Sequence, residues 1–125
     1  MKTIFFFLAP ICVIAFLWGS LDKAFYDDEA IDAIVGEASN QSYDTMICVA
    51  QALHHRGTLK GVYGLHASHN AFENKDVRDA AEEAWESADA IPDKVKGAKN
   101  WGTYDDLIKL DVKGYKVRCG DLYFY

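Results

Sequence analysis

Apolar positions recur at helical spacing in three stretches of the chain, and the polar residues between them read as caps and stops. Ile31, Ile34, Val35 and Ala38 lie on one stripe, behind Asp27-Asp28-Glu29, which supplies an N-cap and first-turn negative charge. This predicts a short helix over 28–38, preceded by a connector at 21–26, with Glu37 in the last turn and Ser39-Asn40-Gln41 as the break. Ser42 caps a second helix whose buried stripe is Met46, Val49, Ala50 and Leu53, flanked by Ile47 and Cys48. His54-His55-Arg56 closes it and Gly57 stops it. Two short helices joined by a few residues predict an αα-hairpin.

The stretch 58–72 is loop-like. Asn74 then caps a third helix running to about Ser87, with Val77, Ala80, Ala81, Ala84, Trp85 and Ala88 on its buried face and Pro92 beyond its end. Residues 98–102 suit a short extended segment, and Thr103 caps a helical turn through Asp105-Asp106-Leu107-Ile108. At the tail, Lys116-Val117-Arg118-Cys119 and Leu122-Tyr123-Phe124-Tyr125 flank Gly120-Asp121, a two-residue turn signal, so a hairpin is expected. Helices first and a small antiparallel patch last make a helix-rich α+β domain. No internal repeat and no low-complexity tract interrupts it.

Ahead of that domain stands Met1-Lys2-Thr3, an apolar run from Ile4 to Trp18, and Gly19-Ser20. One positive charge before a run apolar on every side predicts a signal peptide or signal anchor over 1–20, with the folded domain over 27–125. The run is close to the short end for spanning a bilayer, which takes about 20 residues. The expected location is therefore secreted, periplasmic or anchored to the membrane, with membrane contact only through residues 1–20.

Composition narrows the function. The chain of 125 residues has a formal charge of −6, and residues 1–20 carry only Lys2, so the exported part stands at −7. A nucleic-acid partner, which requires a basic face, is not expected. Cys12 lies in the export segment, which leaves Cys48 and Cys119 and one possible pairing. Export permits a disulfide; two buried free thiols are the other reading.

Glu37 is the candidate acid. Apolar neighbours and the negative pole of its own helix both disfavour a charged carboxylate, and a carboxyl that keeps its proton can protonate a glycosidic oxygen. His66-Ala67-Ser68-His69 has a possible ligand spacing, but no Cys or acidic partner lies at a recognised interval, so no metal and no cofactor are expected. Cys48 in mid-helix on the buried side does not suit a nucleophilic thiolate.

Gly36-Glu37-Ala38-Ser39, then Val49-Ala50-Gln51-Ala52-Leu53 closed by His54-His55-Arg56, then Gly61-Val62-Tyr63 with Ala71-Phe72, Ala80-Ala81 with Ala84-Trp85, Ala98-Lys99-Asn100-Trp101 and the terminal Gly120-Asp121-Leu122-Tyr123-Phe124-Tyr125 together resemble the SleB-type cell wall hydrolase family. The resemblance runs over residues 28–125 and lies in the order of the pieces. It implies a small lysozyme-like domain acting on alternating N-acetylmuramic acid and N-acetylglucosamine. The implied chemistry is cleavage of the β-1,4 glycan bond, by lytic transglycosylation more than hydrolysis, with Glu37 as acid and then base. Trp101, Tyr104 and Phe72 are candidate cleft walls, since rings stack on sugar faces. Arg56 is a candidate contact for glycan or peptide carboxylate, with a helix C-terminal cap as its other role.

Three positions depart from the family pattern. His55 stands where an Asn is expected before Arg56, Leu122 where a His is expected, and Gly102-Thr103-Tyr104-Asp105 replaces a more polar stretch. These changes leave a second reading open, a peptidoglycan-binding module that keeps the scaffold with impaired turnover. The glycan strand is the expected partner in both cases, and the protein is expected to act as a monomer.

Overall fold

The computed structural model describes residues 26–62 and 74–125. The expectations for the export segment 1–20, for Cys12, for Phe72 and for His66 and His69 fall outside the described residues. Four helices and a three-stranded antiparallel sheet make up the described part, an α+β arrangement. No helix among the described residues is long and apolar enough to cross a membrane.

Helix α1 covers residues 26–38, so Tyr26 belongs to the helix rather than to a connector, and Asp27 stands within the helix rather than capping it. Helix α2, Tyr43–Arg56, begins at the Ser42 cap, whose hydroxyl accepts from the Thr45 N–H, and ends at Gly57, which takes the left-handed conformation and donates to the Leu53 carbonyl. The sequence suggests one apolar stripe on α2. Instead every residue from Thr45 to Leu53 is buried. A helix without a solvent face needs cover on all sides. Six apolar residues of α1, from Ala30 to Ala38, share its core cluster with Ala81, Ala84 and Trp85 of helix α3 (Lys75–Ser87) and with Leu122 and Phe124 from the sheet. Alanines on α3 keep that approach close. Val77 and Ala80, expected on the same face, are partly buried at its edge.

Polar contacts fasten α3 to α1. Arg78 reaches Asp32 and, at 3.8 Å, Asp28, while Trp85 Nε1 donates to Asp27 Oδ1 at 3.0 Å. Trp85 is a core residue, as its place on the stripe predicts, and the His54 ring stacks on it at 3.7 Å.

After α3 and a 3-10 turn, Ala88–Ala90, the chain runs back across α2 and is tied down by one buried side chain. Gln51 Nε2 faces the carbonyls of Ala88, Ile91 and Pro92, each at 3.2 Å, and Gln51 Oε1 accepts from the Lys94 N–H at 2.8 Å. The next turn is organised by Asp93, which accepts from the N–H groups of Val95 (3.1 Å) and Gly97 (2.7 Å) and pairs with His55 at 3.1 Å. Partial withdrawal from water pushes the Asp93 carboxyl up. The hydrogen bonds from His55, Val95 and Gly97, together with the charge of His55, outweigh that and hold it below its ordinary value.

Strand β1 (Trp101–Gly102) pairs with β3 (Leu122–Phe124), which pairs in turn with β2 (Val117–Cys119), so β3 is central. The expected hairpin joins β2 to β3. The register sets Trp101 and Val117 opposite Phe124 and sets Cys119 opposite Leu122. Between β1 and β2 lies helix α4 (Tyr104–Lys109), opened by a capping box in which Thr103 and Asp106 each accept from the other's backbone N–H.

The hairpin is locked onto the start of α2. Cys48 and Cys119 form a disulfide across 71 positions of sequence, which decides between the two readings of these cysteines. Gln41 exchanges hydrogen bonds with Asp121, both at 3.3 Å. At Gly120, φ is +56°, and a Cβ there would lie 2.6 Å from Gln41 Oε1 and 2.7 Å from Thr45 Oγ1, so the turn tolerates no side chain.

Two measurements test this anchoring. A cross-link closing so long a loop restricts the unfolded chain strongly. Reduction, or the Cys48→Ala/Cys119→Ala pair, should therefore lower unfolding stability by about 2–5 kcal/mol in denaturant titrations. Gln51→Leu should cost about 1–3 kcal/mol in the same assay, because it leaves the buried Ala88 carbonyl and the partly buried carbonyls and N–H of the 91–94 segment without their partner; an unchanged midpoint would show that Gln51 does not hold the 88–94 segment.

Candidate functional site

The ends of several elements converge on one cleft of ≈ 580 Å³. Glu37 enters it from the last turn of α1, and Arg56 from the last residue of α2. Gly61 and Val62 follow from the turn after α2. The opposite side is Asn100 to Thr103, with Asp106, Lys109 and Leu110 from α4, and Leu122 and Tyr125 from and after β3.

Local sequence explains each placement. Glu37 sits one residue before Ala38, which is fully buried, so its helix face borders the core without entering it, and Glu37 is half-buried. Arg56 is held in three directions. Nη1 donates to Asn100 Oδ1 at 3.0 Å and approaches the Lys99 carbonyl at 3.4 Å, and Nη2 donates to the Lys60 carbonyl. It thus joins the end of α2 to the entry of β1 and to the following turn. Its Nε is buried without an acceptor. The hydrogen-bond acceptors of Arg56 are neutral oxygens, and no aspartate among the described residues pairs with it. Trp101, half-buried, lines the cleft while its ring leans on Phe124 at 6.3 Å.

Of the residues singled out from sequence, Glu37, Arg56 and Trp101 come together here. Tyr104 does not. It is 61 % exposed and lies against Tyr123 at 6.0 Å, in a cluster with Tyr115 and the Arg118 guanidinium outside the cleft lining. Thr103 and Asp106, joined in the capping box, line the cleft, whereas Tyr104, the first residue of α4, does not. Phe72 lies outside the described residues. Among the departures from the family pattern, His55 is absent from the lining and turned to Asp93, whereas Leu122 is buried in the cleft wall.

Asp106, Lys109 and Asn100 are lining residues that sequence reasoning did not single out. Asp106 was legible only as a cap, and Asn100 only as part of a strand motif. The spacing of Asp106 and Lys109, three apart on a helix, was the available signal that they share a face. Among the described residues no group of three or more His, Cys, Asp or Glu side chains is placed to hold a metal ion.

Chemically, the cleft presents one half-buried carboxyl, a ring wall, two cationic side chains and a second carboxylate engaged in capping its own helix. Compared with protein-family models, with curated proteins and with solved structures, the chain matches none.

Gly102 sets the spacing of the cleft floor. A Cβ there would stand 2.9 Å from Asp106 Cβ and 3.3 Å from its Oδ2. The nearest atom is the root of a side chain on a capped helix, so α4 would have to shift. Gly102→Ala should cost about 1–3 kcal/mol in thermal or denaturant unfolding, in line with overpacking elsewhere. Wild-type stability in that variant would mean α4 is not seated against β1.

Proposed function

We propose that this protein is an exported peptidoglycan-cleaving enzyme of the SleB-type cell wall hydrolase kind, with Glu37 as its acid and base. The observation that carries the reading is the position of Glu37. The residue picked from sequence as the acid lies in a cleft beside a tryptophan wall and an arginine, with room for sugar rings. The disulfide suits an oxidising compartment outside the cytosol and so supports export.

In the proposed reaction the Glu37 carboxyl gives its proton to the oxygen bridging N-acetylmuramic acid to N-acetylglucosamine. The bond from the muramyl anomeric carbon to that oxygen breaks, and the N-acetylglucosamine leaves with a free 4-hydroxyl. The Glu37 carboxylate then takes the proton of the muramyl 6-hydroxyl, whose oxygen closes on the anomeric carbon. The product is a 1,6-anhydro end, no water is consumed, and Glu37 regains its proton. A single carboxyl serves both steps, in contrast to the paired carboxylates of most glycoside hydrolases.

The second reading, a glycan-binding module of reduced turnover, is favoured by one observation. Leu122, which replaces the expected His, is part of the cleft wall. Zymography on purified wall separates the two. The wild-type chain should clear the wall, and Glu37→Gln should lose clearing by about a hundredfold or more, the range of a general acid–base contribution, while still binding insoluble peptidoglycan. Clearing that persists in Glu37→Gln removes Glu37 from the role. Absence of clearing by the wild type, with binding retained, selects the module.

A further inference from the structure

The proposed substrate poses an electrostatic problem. The chain is strongly acidic, and a strand carrying carboxylates is repelled by such a surface at long range. Two concavities among the described residues differ sharply in charge. One, of ≈ 700 Å³, is lined by Asp27, Asp28, Glu82, Glu86 and Asp89 and by no lysine or arginine. The Glu37 cleft adds Arg56 and Lys109 to its two acidic side chains, Glu37 and Asp106.

Neither cation is paired with an aspartate among the described residues. Arg56 is held by neutral oxygens of Lys60, Lys99 and Asn100. Lys109, like Lys60, Lys96, Lys99 and Lys116, forms no ion pair with an aspartate among the described residues, whereas Lys75, Arg78, Lys94, Lys113 and Arg118 do. Asp106 keeps one carboxylate oxygen on the Thr103 N–H, committed to the helix cap. The cleft thus sets two cationic side chains beside its two acidic ones, on a protein that is negative as a whole.

We propose that Lys109, with Arg56 behind it, forms a carboxylate-recognising subsite, so that the cleft selects glycan strands bearing acidic substituents over neutral strands of the same backbone. This rests on the cleft being a glycan site and names the substrate feature it reads. The carboxylate has two sources on such a strand, the lactyl group of muramic acid and the stem peptide attached to it. Lys109 is the specificity-determining residue because it is exposed and adjustable, whereas Arg56 is fixed by its three acceptors and serves as a background charge.

The test measures affinity on the full chain carrying Glu37→Gln, so that binding is read without turnover. The probes are intact glycan strands, strands stripped of stem peptides so that the lactyl carboxylate is free, and chitin oligosaccharides of equal length. Acidic strands should bind more tightly than chitin at low salt, with the preference shrinking as salt rises. Adding Lys109→Gln should weaken binding to acidic strands about two- to fivefold, the range of a single exposed charge pair. Lys109→Arg should restore the preference. Tight binding of stripped strands assigns the lactyl group, and preference for intact strands alone assigns the stem peptide; either supports the subsite. Equal affinity for acidic strands and chitin at low salt overturns it, and so does a preference that survives Lys109→Gln. Clearing by Glu37→Gln would defeat the catalytic assignment while leaving this affinity ratio readable.

Discussion

Helix α2 has no solvent face from Thr45 to Leu53, and the rest of the described structure is arranged to cover it. In so small a protein a fully enclosed helix uses up most of the available apolar surface. The neighbours must therefore approach closely and stay in place. Alanines on α1 and α3 allow the approach, while Gln51 and the Cys48–Cys119 bridge hold the later segments against the central helix. Gln51 is the instructive case. A buried amide is costly unless each of its groups finds a partner, and here the partners are the backbone of the very segment that leads to β1. The polar group inside the core thus sets the path of the chain outside it.

That arrangement explains why the cleft is built from endings. Glu37 comes from the last turn of α1, Arg56 from the last residue of α2, and Trp101 and Gly102 from the whole of β1. Residues 45–53 of α2 cannot reach solvent, so any chemistry the core can position comes from outside that stretch. Arg56 binds these endings to one another through Lys60, Lys99 and Asn100. Its loss would loosen both sides of the cleft at once, so an Arg56 substitution mixes structural damage with any lost contact to ligand.

Features with local causes were legible in the sequence. Ser42, Gly57, Asn74 and Thr103 cap as expected because a cap is a bargain between a side chain and backbone N–H groups a few residues away. The Gly120-Asp121 turn was legible for the same reason. What was not legible depends on distant partners: the pairing of β1 with β3, the clamp from Gln51 to Lys94, and the enclosure of α2 on the side where the pattern shows Thr45 and Gln51 instead of aliphatic residues. Trp101 and Tyr104, equal candidates by residue type, separate because one belongs to a strand edge facing the cleft and the other opens a helix whose cap claims that side.

Two positions singled out from sequence, His55 and Leu122, carry unequal weight once their surroundings are known. His55 supports Asp93, which folds the 93–97 turn on the path to β1, so its contribution is to the scaffold. Leu122 differs in kind, for it puts an aliphatic group in the cleft wall. An apolar wall cannot donate to a sugar hydroxyl or relay a proton. The polar side chains of the lining are Glu37, the two cations, Asn100, Thr103, Tyr125 and the helix-bound Asp106. A mechanism requiring only one proton-transfer group asks less of such a lining than one in which a second side chain must activate water, since in the former the nucleophile is supplied by the sugar itself.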